Sequence, residues 1–184
     1  MTSADIVIIL LLAGSTFIGF FQGPVRGMLA VGAWLIAFLA SAILSEPVGD
    51  YLATQWTALS APYVQMLAFG IVAVVLLVVL FALVFMGTRG SRALTPYRLL
   101  DDLIGGALGL VVALLIVAGA WVVLASFYGP GVPAVTDTDG ELTADLFRAL
   151  RESNLSTIIR DALVPIMGTL FGPLVPAAVR EALG

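Results

Sequence analysis

The sequence contains no histidine, no cysteine and no lysine. Those absences exclude Cys/His zinc sites, iron–sulfur and haem ligation, thiol nucleophiles, Ser-His-Asp triads and Schiff-base lysines together. With no thiol there is also no disulfide, and nothing to report the redox compartment. Charge of either sign is scarce. Only 11% of the 184 residues are charged and 61% are apolar. A soluble domain runs near 25% and about 45–50% respectively. An ordinary soluble protein is therefore excluded.

What is present is long apolar sequence. All 20 charged residues, 8 basic and 12 acidic, lie outside four windows: 6–21, 28–44, 63–86 and 103–127. A membrane span needs roughly 20 apolar residues at about 1.5 Å of rise each. The last two windows reach that length, and the first two reach it by borrowing neighbours. Four such windows leave too little polar surface to cover them as soluble helices. Backbone groups in lipid must be satisfied within each segment, so the spans are read as helices, the Val-rich third window included. Ser3 or Asp5 is placed to cap the first helix. The Asp101–Asp102 pair is placed at the N-terminus of the fourth, where anions suit the helix dipole.

The predicted fold class is all-α: a polytopic integral membrane protein with four transmembrane helices and a short helical C-terminal tail. Residues 1–127 form the membrane domain. Residues 128–184 form an extracytoplasmic linker and short amphipathic helices. In the tail, residues 128–140 read as the linker. Beyond it Leu142, Leu146 and Leu150 share one stripe, as do Leu155, Ile159 and Leu163. Pro165, Pro173 and Pro176 are expected to break any single long helix. The apolar cluster around Ile166, Met167 and Leu170 is read as lying on the membrane face or against the bundle, with a fifth or re-entrant span as the alternative.

Small residues recur at four-residue spacing. Gly19, Gly23 and Gly27 make one row; Gly105 and Gly109 make another, which Ala113 continues. Such ridges let a neighbouring backbone approach closely, so packing or self-association is their first reading and a glycine-lined pore the second. Pro24 after Gly23 predicts a tight turn over 22–27.

The segment 19–34, GFFQGPVRGMLAVGAW, resembles the first hairpin of the colicin V production protein (CvpA) family. Gly23, Val25, Arg26 and Trp34 fall on its motif positions, and Asp5 precedes the first span as in the family. The segment 101–109, DDLIGGALG, is similar to the family's entry into the last span through Asp101, Gly105 and Gly109. Gln22 and Gly27 stand where that pattern often has Arg and Glu. Asp102 replaces the usual Arg, and Val112 stands where an Arg often occurs. The resemblance implies a small protein of the bacterial cytoplasmic membrane. It also implies a link to colicin V-type toxin production or export and to envelope homeostasis. Some relatives append a trypsin-like protease. This chain ends at Gly184 without a histidine, so the role expected is that of the membrane module alone.

Chemistry within the spans is sparse. Ser15, Thr16, Ser41, Gln65 and Ser126 lie at depth with no base beside them, and lone hydroxyls usually bond their own helix. No catalytic residue, metal ligand or cofactor is expected. The predicted role is a non-enzymatic scaffold or accessory factor; the alternative is a small channel or transporter for an uncharged or lipid-like solute. The partners expected are the lipid bilayer, a second copy in a homo-oligomer and an extracytoplasmic protein on the tail, with no nucleic acid.

Orientation follows from arginine. The loops 22–27 and 87–102 hold four arginines and the loop 45–62 holds none, which places the first and third loops in the cytoplasm and both termini outside. A tag fused after Gly184 is therefore expected to be cut by protease added to spheroplasts. Protection until lysis would reverse the orientation.

Overall fold

A computed structural model describes residues 2–88, 98–128 and 141–171. It is all-helical over those residues: α1 Ser3–Gln55, α2 Ala61–Gly87, α3 Arg98–Tyr128, α4 Glu141–Glu152 and α5 Asn154–Phe171. Three helices are long and apolar enough to cross a membrane: α1, and the segments Tyr63–Gly87 and Leu99–Ala125. That is fewer than the four expected, because the first two apolar windows belong to one helical element.

The reason lies at one residue. The backbone of α1 is helical except at Gly23, whose φ of 75° and ψ of 173° are non-helical. That region of backbone space is essentially reserved for glycine. Pro24 follows, with φ preset for a first helical turn and no N–H to leave unbonded. The expected six-residue turn over 22–27 is thus a single-residue break. Contacts with α3 show what the break does. Ser15 and Gly19 meet Gly109 and Gly105, so the first arm of α1 runs opposite to α3. Gly27 meets Leu108 while Trp34 meets Gly119, so the second arm runs along α3. The chain reverses at Gly23, and both arms pack on one partner.

The second expected loop is also shorter than predicted. α1 continues past Ser45, through Pro47, to Gln55, leaving only residues 56–60 before α2. α2 then packs back along the second arm: Gly49 faces Gln65 and Ala68, and Phe38 meets Phe69 edge-on at 5.9 Å. α3 starts at Arg98, ahead of the predicted 103, so Asp101 sits inside its first turn rather than at its cap.

The core uses small residues where helices touch. Ala37, Ala42, Ala68, Ala113 and Ala118 are essentially unexposed. Trp34 stacks on Phe38 at 5.2 Å and fills the gap beside Gly119. On α2 a row of large aliphatic residues, including Ile71, Val74, Val78 and Leu83, faces outward, as an apolar solvent permits.

The tail closes the end of the bundle where α1 begins. On α5 the predicted stripe faces inward: Ile159 is buried and Leu155 and Leu163 pack against the core. On α4 the inward residues are Phe147 and Leu150, while Leu146 points out. Phe147 packs between Trp121 and Tyr128 of α3. Pro165 does not end α5, contrary to expectation; the helix runs through it to Phe171. Pro165 and Asp161 both lie on the exposed side, so the carbonyl that loses its helical partner is not buried. Pro173, Pro176 and the linker 129–140 lie outside the described residues.

Replacing Gly23 by Ala forces a side chain into this glycine-only conformation. The expected loss is about 1–3 kcal/mol, read as a lower midpoint in detergent unfolding. Gly32→Ala, where the added carbon meets nothing within 4 Å, should hold or raise the midpoint.

Candidate functional site at the glycine junction

The residues singled out from sequence fall into three places. The first is where the first arm of α1 crosses α3. A Cβ built on Gly19 would fall on the carbonyl oxygen of Gly105 and 2.9 Å from the Gly109 Cα. One on Gly105 would fall on the Gly19 oxygen and 2.9 Å from the Gly23 Cα. One on Gly109 would fall on the Ser15 oxygen. Here backbone meets backbone directly. Ser15 adds a bond across the seam, its hydroxyl donating to the Gly109 carbonyl at 2.7 Å. The row Gly19, Gly23, Gly27 is not one continuous ridge: beyond the reversal, Gly27 accommodates the Leu108 side chain instead.

The second place is the end of the bundle where α2 stops. Arg26 Nε donates to Thr88 Oγ1 at 2.8 Å, and its Nη2 donates to the Thr88 carbonyl at 3.0 Å. The guanidinium also lies 4.9 Å from the centre of the Phe85 ring. Thr88 is the C-cap of α2, so a cation sits where the helix dipole and the last carbonyls favour one. Arg26 is positioned for this because Gly23 turns the chain three residues earlier. Asp101, 2% exposed, lies near this end in the first turn of α3.

The third place is at the opposite end. Asp5 and Thr2 form a capping box: Thr2 N–H donates to Asp5 Oδ2 at 2.8 Å and Asp5 N–H to Thr2 Oγ1 at 3.3 Å. The other carboxylate oxygen of Asp5 receives the tail, with Ser153 Oγ donating at 2.6 Å and Leu155 N–H at 3.3 Å. Ser153 in turn accepts from Ser156 N–H at 3.1 Å and so caps α5. One buried carboxylate thereby starts two helices that are far apart in sequence. Trp34, 3% exposed, lies between these ends in the core.

Sequence reasoning did not single out Ser153 or Thr88. Ser153-Asn154 does carry a helix-start signal, but nothing local points to Asp5. Two of the hydroxyls at depth bond their own helix as a lone hydroxyl is expected to, Thr16 donating to Leu12 O and Ser41 to Ala37 O; Ser15 departs from that expectation by bonding across to Gly109. Among the described residues there is no group of three or more acidic, His or Cys side chains suited to a metal.

A family model described as colicin V production protein matches residues 4–164. No curated protein and no solved structure matches.

The backbone contacts make a sharp prediction. Gly105→Ala and Gly109→Ala should each cost about 1–3 kcal/mol through overpacking, visible as lower yield and a lower unfolding midpoint in detergent. Gly14→Ala, which meets nothing within 4 Å, should be neutral. Three equal midpoints would refute the backbone seam.

Proposed function

The chain belongs to the colicin V production protein family, and from that premise we propose that it is a non-enzymatic accessory factor of the bacterial cytoplasmic membrane. It acts in toxin production or export and in envelope homeostasis by holding a partner-binding tail rigidly on a membrane bundle. In this reading each arm of α1 crosses the bilayer, so that α1, α2 and α3 together make four crossings, and both termini lie outside.

The observation that carries the proposal is the Asp5–Ser153 junction. A carboxylate that is only 2% exposed receives a hydroxyl and a backbone N–H from the tail. Charge-assisted bonds of this kind are the stronger class. They hold the tail in one pose, with Leu146, Ile158 and Ile166 exposed. Fixed, outward apolar residues beside a polar helix suit protein contact.

A second reading, a small channel or transporter for an uncharged or lipid-like solute, draws on a different feature. A half-open cavity of about 480 Å³ with apolar walls lies among Trp34, Phe69, Leu77, Ile116 and Val123.

A photocrosslinking amino acid at Ile158 or Ile166 in living cells is expected to yield protein adducts. The same probe at Phe17, on the outer side of the first arm, should yield none. Asp5→Asn should reduce the tail adducts several-fold without changing the amount of protein in the membrane. Equal adducts at all positions, or solute flux through liposomes holding the purified protein, would favour the second reading.

A further inference from the structure

A second cavity, of about 330 Å³, lies beside the glycine junction. Its existence follows from the packing. Gly19, Gly27 and Gly109 bring no side chains to fill the space. α2 leans on α1 far more than on α3, which leaves room between them. The walls are apolar: Ile18 from the first arm, Ala30 from the second, Phe81 and Val84 from α2, Val112 and Ile116 from α3. Ile18 and Phe85, at its edge, are 56% and 51% exposed, so the space opens toward the surroundings of the bundle.

The polar side of this cavity is Gln22 with Arg26. A guanidinium offers five N–H donors, of which Thr88 takes two. The ion pairs Arg148–Asp145 and Arg160–Asp161 lie on the tail helices, away from this cavity. The geometry places Thr88 and the Phe85 ring against the Arg26 guanidinium. A cation at the edge of an apolar space favours a counter-charge there. Thr88 and Phe85 hold its plane in place, which presents the remaining donors in a fixed orientation.

We propose that this cavity binds one acyl chain of an anionic phospholipid, with the headgroup phosphate on Arg26 and the chain along the apolar walls. Basic pockets between membrane helices suit phosphate headgroups, and Arg matches phosphate by a two-pronged bond. The volume lies at the small end of ligand sites, roughly 300–1,000 Å³, and takes the headgroup-proximal part of one chain while the rest of the lipid stays in the bilayer. The walls explain why a lipid rather than free phosphate is the occupant: a bare anion would leave them empty. This inference stands apart from the tail's role, since the cavity lies at the other end of the bundle.

The test uses the full chain in phosphatidylcholine nanodiscs, titrated with dioleoylphosphatidylglycerol or additional dioleoylphosphatidylcholine and read by native mass spectrometry. The anionic lipid should be retained about tenfold better, the effect of one charge-assisted contact. Inorganic phosphate should not displace it. Arg26→Gln should abolish the preference. Because Arg26 also caps α2, a second variant decides the matter if that one fails to fold. Ala30→Leu fills the cavity, leaves Arg26 and Thr88 in place, and should abolish the preference too. Equal retention of the two lipids, displacement by phosphate, or an unchanged preference in Ala30→Leu would each overturn the site.

Discussion

The contact on which the rest of the molecule depends is the one between two backbones, at Gly19 and Gly105. Neither residue can carry even a methyl group there without striking the other's carbonyl. Apolar helices in lipid gain little from burying apolar side chains, since lipid is equally apolar; association comes from close packing and from hydrogen bonds. Gly19, Gly105 and Gly109 supply the first and the Ser15–Gly109 bond supplies the second. Close approach at this point draws the first arm onto α3. The reversal at Gly23 then lays the second arm on α3 as well. The void that Arg26 borders is a by-product of the same choice: side chains small enough to let backbones touch leave space beside them.

The two ends of the bundle are held by different chemistry. At one end a cation, Arg26, closes α2 through Thr88. At the other an anion, Asp5, opens α1 and also receives the start of α5. Each sits at the end of the helix dipole that favours its sign. Each also ties together segments that the apolar packing alone would leave free to slide. In a chain where one residue in nine is charged, these two side chains are placed where direction and register are decided. The tail follows from this arrangement: its inward face completes the core with Ile159 and Met167, and its outward face carries the exposed Ile158 and Ile166.

Much of this was legible in the linear pattern, for identifiable reasons. Charge-free length predicts helices in lipid because no other open structure satisfies the backbone there. Four-residue glycine spacing predicts a helical seam because it matches the helix turn. Pro after Gly predicts a break. The number of separate helices was not legible. A run of polar or special residues, 22–27, looks like a loop, whereas one glycine in a rare conformation reverses the chain and helix resumes at once. Pro165 misled in the same way, since a proline on an exposed helix face removes one bond and need not end the helix.

The sequence by itself determined that the protein is helical and membrane-like, which small residues form ridges at helical spacing, and where the chain bends. Each of those depends on residues within a few turns of one another, so local periodicity records them. Only the tertiary structure decided that Gly19 faces Gly105, that Arg26 closes α2, and that Asp5 holds Ser153, 148 residues away. Such pairings depend on which helices lie side by side and in which direction. That is set by the shape left after every side chain is packed, and no spacing along one chain encodes it.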